Sequence, residues 1–279
     1  MSAYRFCRTD DIGLLVDALN RCWTPHFPDD QPGDAAAFKR SIRDLQVWCS
    51  SCMVAFAGSD PAGVLIGAKR ASATLVHKIA VHPDHLRQGH GRHLLTSLSS
   101  KLAILGPPRV VAEVPDANAA ARSLFVASGY IEEAVLTDYV LEGDPGPVDH
   151  VGLVIPVTID DLAANGLLEG APPTCWGRSI ETLMARKDEI EGLAVASEER
   201  IEAYILYIKD APEIQSLRSF VEDGGARLKQ LLCHFRSRGA GTAGVPKVHP
   251  AEIPSARLEA VGFRPSGRHV LYAARARGS

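Results

Sequence analysis

The sequence has few aromatic residues, no long apolar run and no excess of charge of one sign. Aromatic residues make up 6% of the 279 residues, and the formal net charge is -3. The basic residues are scattered rather than clustered, so we expect no nucleic-acid partner. No apolar run approaches the roughly 20 residues that span a bilayer, and residues 1–11 lack the apolar region of a signal peptide. We therefore expect no membrane binding and a cytoplasmic location.

Cysteine is also sparse, and its spacing does not resemble a disulfide scaffold. The six cysteines are spread along the chain, which is typical of reduced thiols in a cytoplasmic protein. Cys49 and Cys52 form a CxxC, but no second pair lies at zinc-finger spacing. The histidines between His77 and His93 cross several predicted elements instead of sharing one face. The sequence predicts no metal site.

What the sequence does contain is a strand, a glycine loop and an amphipathic helix between Thr74 and Leu105. The apolar segment Leu75–Val81 favours a strand, Gly89 and Gly91 lie in the loop, and leucines follow at helical spacing. Free amides at a helix start bind anions, and glycines let a phosphate come close. The residues after the glycines fit neither a P-loop nor a dinucleotide turn. An anion site and an ordinary strand-to-helix connection both remain open on this pattern.

The sequence around the glycines narrows the choice between an anion site and an ordinary connection. IAVHPDHLRQGHGRHLL, residues 79–95, resembles the acetyl-CoA-binding motif of the GNAT acetyltransferases. VPDANAAARSLFVASGY, residues 114–130, resembles the next signature of that family. One position departs from the pattern, because Leu86 stands where the family has Gln or Arg. The resemblance implies a mixed α/β fold and direct transfer of an acetyl group from acetyl-CoA to a primary amine, on a small molecule or a protein N-terminus.

The resemblance also implies which residues hold the cofactor: strand backbone, the glycine loop and two positions of the second signature. These are Ile79, Ala80, Val81, Arg87, Gln88, Gly89, His90, Gly91, Arg92, Asn118 and Phe125. Asn118 equally suits a helix cap. Phe125 stands where many relatives have the Tyr that protonates the departing thiolate, so the general acid is left open, with Tyr130 and Tyr139 nearby in sequence.

Glu113 is the candidate general base. It interrupts the apolar strand Arg109–Val114 beside the predicted cleft, and an alkylamine must lose a proton before it attacks a thioester. A structural ion pair is the alternative role for this carboxylate. In proteins that the chain resembles, the proline-rich loop at residues 24–34 lies over the acceptor cleft. His26, Asp29 and Asp30 are therefore candidates for acceptor contacts, with a solvated loop as the alternative.

The second half of the chain repeats the first in weakened form. FKRSIRDL at residues 38–45 recurs as WGRSIETL at residues 176–183, and LFVASGY is echoed by RLEAVGF at residues 257–263. The sequence therefore predicts two tandem GNAT-like mixed-sheet α/β domains, an acetyl-CoA-binding domain at residues 1–157 and a degenerate copy at residues 158–279. The copy lacks the long loop, so we expect one acetyl-CoA per chain. A non-catalytic acyl-CoA-binding or regulatory module is the alternative function.

Overall fold

The computed structural model describes residues 2–28, 33–142, 152–237 and 242–277. Its contacts divide the chain into two compact units, Met1–Glu133 with Val270–Ser279, and Ala134–His269. The division falls inside two strands. The boundary predicted near residue 157 separates the two halves of a sequence repeat rather than two groups of contacts. The division by contacts does not test it, and it stays a prediction.

The first unit is a mixed sheet with helices. Its elements are β1 (Ser2–Phe6), α1 (Ile12–Cys22), α2 (Ala35–Leu45), β2 (Met53–Ala57), β3 (Asp60–Lys69), β4 (Thr74–Val81), α3 (His90–Leu105), β5 (Arg109–Pro115), α4 (Ala119–Ala127) and the start of β6 (Ile131–Leu141). Its sheet runs in the order β1-β2-β3-β4-β5, and the end of the last strand of the chain, β12 (Phe263–Arg275), follows beside β5.

The leucine stripe of α3 builds the core of this unit. Leu94, Leu95, Leu98 and Leu102 are buried in one cluster that also contains Tyr272 of the last strand. Burial of a leucine side chain contributes about 1.5–3 kcal/mol. The stripe that predicts the helix is therefore also the surface that holds α3 against the sheet.

β4 and β5 separate soon after they meet. Their parallel pairing covers Thr74 with Val110 and Leu75 with Val111. On its other side β4 stays paired with β3 as far as Val81, which lies opposite Gly63. The carboxyl ends of β4 and β5 therefore diverge and leave a gap between them.

The second unit repeats the order of elements. Its sheet strands run β10-β9-β8-β7, while β11 pairs with β6, which neighbours β12. Its elements are β7 (Leu153–Val157), α5 (Ile159–Ala164), α6 (Ile180–Ala185), β8 (Ile190–Ala196), β9 (Ile201–Ile208), β10 (Ile214–Ser219), α7 (Ala226–Ser237), β11 (Ala243–Val248), α8 (Ser255–Ala260) and β12 (Phe263–Arg275). The series from β8 to β12 matches that from β2 to β6, and the predicted α/β fold class is confirmed.

The apolar pattern of the sequence predicts strands at residues 150–156 and at His269–Ala274, and both bounds differ in the structure. The final strand begins at Phe263, six residues before the predicted start, because the strand continues straight out of the turn after α8. The earlier strand is observed as Leu153–Val157, and His150 and Val151 lie outside the described residues. Among the helices that the structure describes, none is long and apolar enough to cross a membrane.

Candidate active site

A cavity of about 900 Å³ occupies the gap between β4 and β5 in the first unit. Its walls come from β4, β5, the start of α3, α4 and the residues after α1. A cavity of this size accommodates a cofactor or substrate rather than a few water molecules. The early separation of β4 from β5 is what makes room for it.

The start of α3 presents unpaired backbone amides to this cavity. Gly89 is the N-cap residue, with φ of 86°, and no side chain caps the helix there. The backbone N–H of His93 is the first to reach back, to the carbonyl of Gly89. The amides of His90, Gly91 and Arg92 therefore have no helical partner, which suits them to an anion.

His90 occupies the first position of α3 and borders the cavity. The hydroxyl of Tyr4 lies 2.8 Å from its Nδ1. Its Nε2 is buried and has no hydrogen-bond partner among the described residues. Burial, followed by the nearby His85 and His93, lowers the pKa of His90 below its ordinary value.

Strand residues form the opposite wall. Ile79, Ala80 and Val81 border the cavity from β4, and Glu113 borders it from β5. Glu113 is half-buried, between the buried Ala112 and Val114. The structure thus places the candidate base and the predicted cofactor-binding strand on the same cavity.

Asn118 combines a cap with a position on the cavity wall. Its Oδ1 accepts a hydrogen bond of 3.0 Å from the backbone N–H of Ala121, at the start of α4. The cap that the sequence allowed is therefore present. Because Oδ1 is used in this way, the Nδ2 donors are the part of the amide that can reach a ligand.

The aromatic residues near Phe125 do not supply an acid to the cavity. Phe125 borders it, stacks on Tyr272 at 5.8 Å between ring centroids and meets the edge of Tyr130 at 5.1 Å. Tyr130 is not among the lining residues, and burial raises its pKa. Tyr139 lies in the second unit, where its hydroxyl donates to Ser255 at 2.8 Å. Of the two tyrosines that the sequence left open, neither faces this cavity.

The remaining predicted site residues all border the cavity except Gln88. The side chain of Gln88 lies 3.4 Å from the carbonyl oxygen of Asp84, so it serves the turn that precedes α3. Arg87 adopts a left-handed conformation, with φ of 61°, in the same turn. The turn that points Arg87 into the cavity leaves Gln88 outside it.

One end of the cavity contains residues that the sequence analysis did not single out. Trp23 and Phe27 stack with 4.2 Å between ring centroids, and Lys78 Nζ lies 4.4 Å from the centroid of the Trp23 ring. His26, which was predicted, donates from Nε2 to the carbonyl oxygen of Val81 at 2.8 Å. Asp29 and Asp30 lie outside the described residues. The two aromatic residues four positions apart after α1 were the available signal.

Possible metal ligands and reactive thiols were sought in the described part of the chain. No group of three or more His, Cys, Asp or Glu residues there is placed to hold a metal ion. All six cysteines are thiols rather than disulfides. Burial raises the pKa of Cys7 to about 12, so this thiol stays protonated and unreactive at neutral pH.

The corresponding helix start in the second unit is closed by a side chain of the chain itself. The carboxylate of Asp223 accepts hydrogen bonds of 2.9 Å from the backbone N–H groups of Gly225 and Arg227, at the start of α7. The Arg227 guanidinium also pairs with Asp223 and Glu202. A carboxylate therefore already occupies the position where α3 leaves its amides open.

The corresponding strand gap in the second unit is also filled. β10 and β11 approach through a bridge between Glu213 and Gly244. Beyond it, the buried guanidinium of Arg178 donates to the carbonyl oxygen of Gln215 on β10 at 2.8 Å and to that of Pro246 on β11 at 3.1 Å. Arg178 also pairs with the buried Glu252. An internal ion pair thus spans these two strands.

Residues 14–130 match the model of the family described as "Acetyltransferase (GNAT) family". The curated "[Ribosomal protein bS18]-alanine N-acetyltransferase" of Escherichia coli (strain K12) is 37% identical over 87 residues, which are 31% of this chain and 57% of that protein. The chain thus spans little more than half the length of this curated relative.

Solved structures resemble the chain over nearly its whole length. A GCN5-related N-acetyltransferase from Sphaerobacter thermophilus has a TM-score of 0.69 and 16% identity, covering 99% of this chain and 96% of that one. A tandem GNAT protein from the clavulanic acid biosynthesis pathway has a TM-score of 0.67 and 17% identity, covering 100% of both chains. At this identity the likeness shows the fold, including the tandem arrangement.

Proposed function

We propose that residues 14–130, which match the GNAT acetyltransferase family model, form a domain that transfers the acetyl group of acetyl-CoA directly to a primary amine. One observation carries the proposal: a continuous cavity joins the uncapped amides of α3 to Glu113 across the gap between β4 and β5. The first feature suits a diphosphate and the second a proton transfer. The free thiols suit a reducing compartment such as the cytoplasm.

The residues present fit acetyl-CoA. The amides of His90, Gly91 and Arg92 would hold the diphosphate, with the Arg87 side chain adding positive charge. The gap beside β4 leaves backbone groups near Ile79 and Val81 available to the pantetheine arm, because the pairing to β5 ends at Leu75. The Nδ2 group of Asn118 would donate to the same arm.

In the proposed reaction the amine nitrogen forms a bond to the acetyl carbon while the carbon–sulfur bond breaks. Glu113 takes the proton that the amine loses, and strand amides polarise the thioester carbonyl. Phe125 has no proton to give, so the CoA thiolate leaves with water as its proton source. The chain thus provides a base and an anion site but no tyrosine acid.

The acceptor is a primary amine of a small molecule or of a protein N-terminus. The relative from Escherichia coli is named for an alanine of a ribosomal protein, which supports the second class. Trp23 and Phe27 offer an apolar wall to the cavity, and Lys78 adds positive charge beside Trp23. This wall suits an apolar residue next to the reacting amine.

The alternative is a non-catalytic acyl-CoA-binding or regulatory module, and the observation that favours it is Phe125 in place of a proton donor.

A measurement of turnover distinguishes the acetyltransferase from the non-catalytic module. The full chain is incubated with acetyl-CoA and a panel of amines that includes peptides with N-terminal alanine, and acetylated product is measured by mass. Mass is preferred to thiol reagents because the chain carries a partly exposed thiol at Cys233. Acetyl-CoA binding without product from any amine would favour the module.

A further inference from the structure

We propose that His85 and His90 couple acetyl-CoA binding to the uptake of a proton, so that affinity rises as the pH falls. This inference rests on the proposed cofactor site at the start of α3. It concerns the same site but adds a property that the amides of the loop cannot provide, since backbone amides do not titrate.

The geometry places both imidazoles on the anion site. His85 and His90 border the cavity together with Gly89, Gly91 and Arg92. Their ring centroids are 6.2 Å apart and the rings meet edge to face. An anion held by the first amides of α3 therefore lies beside two imidazoles, and imidazole is the side chain whose ordinary charge change falls nearest to neutral pH.

The buried ring of His90 has one atom without a partner. The residue is 3% exposed, Tyr4 uses its Nδ1, and Nε2 finds no hydrogen-bond partner among the described residues. When the Tyr4 hydroxyl donates to Nδ1, the ring hydrogen resides on Nε2. A buried donor without an acceptor is unfavourable. An anion oxygen at the cavity wall would satisfy it.

The surroundings of His90 disfavour its charged form in the free protein. The neighbouring titratable and charged groups are Tyr4 from β1, His82, Asp84, His85 and Arg87 from the turn, and Arg92 and His93 from α3. The Asp84 carboxylate lies 3.7 Å from His82 and is 82% exposed, so it faces water rather than His90. Burial, followed by His85 and His93, lowers the pKa of His90. A bound diphosphate would act in the opposite direction and raise that pKa.

The sign of the pH dependence follows from this. Binding raises the pKa of the imidazole, so affinity is highest below the pKa of the free protein and falls as the pH rises through the pKa of the complex. A rise of one pKa unit on binding corresponds to about a tenfold change in Kd. This full factor applies only between pH values outside both pKa values, so the expected result is binding severalfold tighter at pH 6 than at pH 8.

The test is calorimetry of the full chain with acetyl-dephospho-CoA, which lacks the 3′-phosphate. A phosphate monoester itself titrates at a pKa of about 6, whereas the diphosphate diester does not, so any pH dependence comes from the protein. Titrations in buffers of different ionisation enthalpy count the protons taken up. Net uptake near pH 7, with weaker binding at pH 8, is expected.

Variants show which residues cause the pH dependence of the Kd. The double variant His85→Gln with His90→Gln removes both imidazoles and should bind with a Kd that is flat between pH 6 and pH 8. The control, His82→Gln, changes a half-buried histidine of the same turn that does not border the cavity, and it should keep the slope. Thermal unfolding shows whether each variant is folded. If the double variant is unstable, the single variant His85→Gln replaces it, and this variant should lose part of the pH dependence of the Kd.

The outcomes separate this inference from the proposed function. A flat Kd in the wild type, or a slope that survives in the double variant, overturns the proton coupling while leaving the acetyltransferase proposal intact. Failure to bind either acetyl-CoA or its dephospho form at any pH overturns both.

Discussion

Glu113 is the carboxylate on which the proposed chemistry depends, and Glu113→Gln is its test. Gln keeps shape and hydrogen bonding but cannot take a proton, so the transfer rate should fall about 100-fold or more with the Kd for acetyl-CoA nearly unchanged. Product mass against time and calorimetry give the two values. Glu191→Gln is the matched control, because Glu191 also interrupts an apolar strand, β8, in the second unit. A Glu113→Gln rate within about twofold of wild type would leave Glu113 a structural role.

The two loop glycines have different functions, which the sequence did not reveal. Gly89 holds a left-handed φ of 86° with open space beside it, whereas a Cβ on Gly91 would lie 3.1 Å from Leu124 Cδ2. Gly91→Val should therefore press α4 away from α3 and lower stability by about 1–3 kcal/mol. Urea unfolding measures this loss. Adding Leu124→Ala relieves the clash, so the two costs should not add. Strictly additive costs would mean that Leu124 is not the residue for which Gly91 makes room.

Local patterns predicted much of the site, and contacts between distant residues were missed. Asn118 as a helix cap and Gly89 in the turn depend on neighbours within a few positions, which a sequence displays directly. The contact of Lys78 with Trp23 and the bond from His26 to Val81 join residues about 55 positions apart. Such pairs depend on how β4 meets the segment after α1, and no local spacing encodes that.

The cap of α7 is an element where the second copy departs from the first. Burial opposes ionisation of Asp223, but bonds from Arg227 and Gly225 outweigh it and lower the pKa of this carboxyl. Asp223→Ala should cost about 0.5–2 kcal/mol of unfolding free energy at pH 7. Because the pKa is lowered on folding, this contribution is present above the unfolded pKa and is lost as the pH falls through the folded one.

Urea unfolding of wild type and variant at pH 7 and near pH 2.5 measures the Asp223 effect. The difference between them should shrink at the lower pH. Asp210→Ala, at an exposed turn, should change stability little at either pH. An equal difference at both pH values would mean that Asp223 does not act through its charge.

The separation of β4 from β5 is the element-level feature that the apolar pattern could not supply. Both strands were predicted within a residue or two of their observed bounds, because short apolar segments between turns are a local signal. How far two parallel strands stay paired depends on what packs on each face, and here the pairing ends after Leu75. The cleft predicted beside Glu113 came from the family resemblance rather than from the residues.

The whole chain shows why a repeat in sequence need not match a unit in space. The predicted domain ends at residue 157, but the first compact unit includes Val270–Ser279. Val270 and Tyr272 are buried in its core cluster, where Tyr272 stacks on Phe125. Sequence similarity shows the order of the repeated segments along the chain, but it does not show into which compact unit the last strand packs.

A fragment of residues 1–157 tests this arrangement. It lacks Tyr272, which is fully buried, and loss of a large buried aromatic side chain costs about 3–5 kcal/mol even before the rest of the strand is counted. We expect the fragment to unfold without a cooperative transition and to lose acetyl-CoA binding. Circular dichroism and calorimetry provide the measurements, with the full chain as reference. A fragment that melts cooperatively and binds with wild-type affinity would show that β12 is dispensable.

The number of acetyl-CoA sites is the property that involves both copies. In the second unit Asp223 accepts from the helix amides and Arg178 lies between the strands, so we expect calorimetry to give one acetyl-CoA per chain. Removing one of these two groups should not create a second site. The Asp223→Ala variant keeps Arg178 and should still bind one acetyl-CoA per chain. Arg178→Met should cost about 3–5 kcal/mol, because Glu252 would remain buried without its partner. A stoichiometry of two in the wild type would mean that neither group excludes the cofactor.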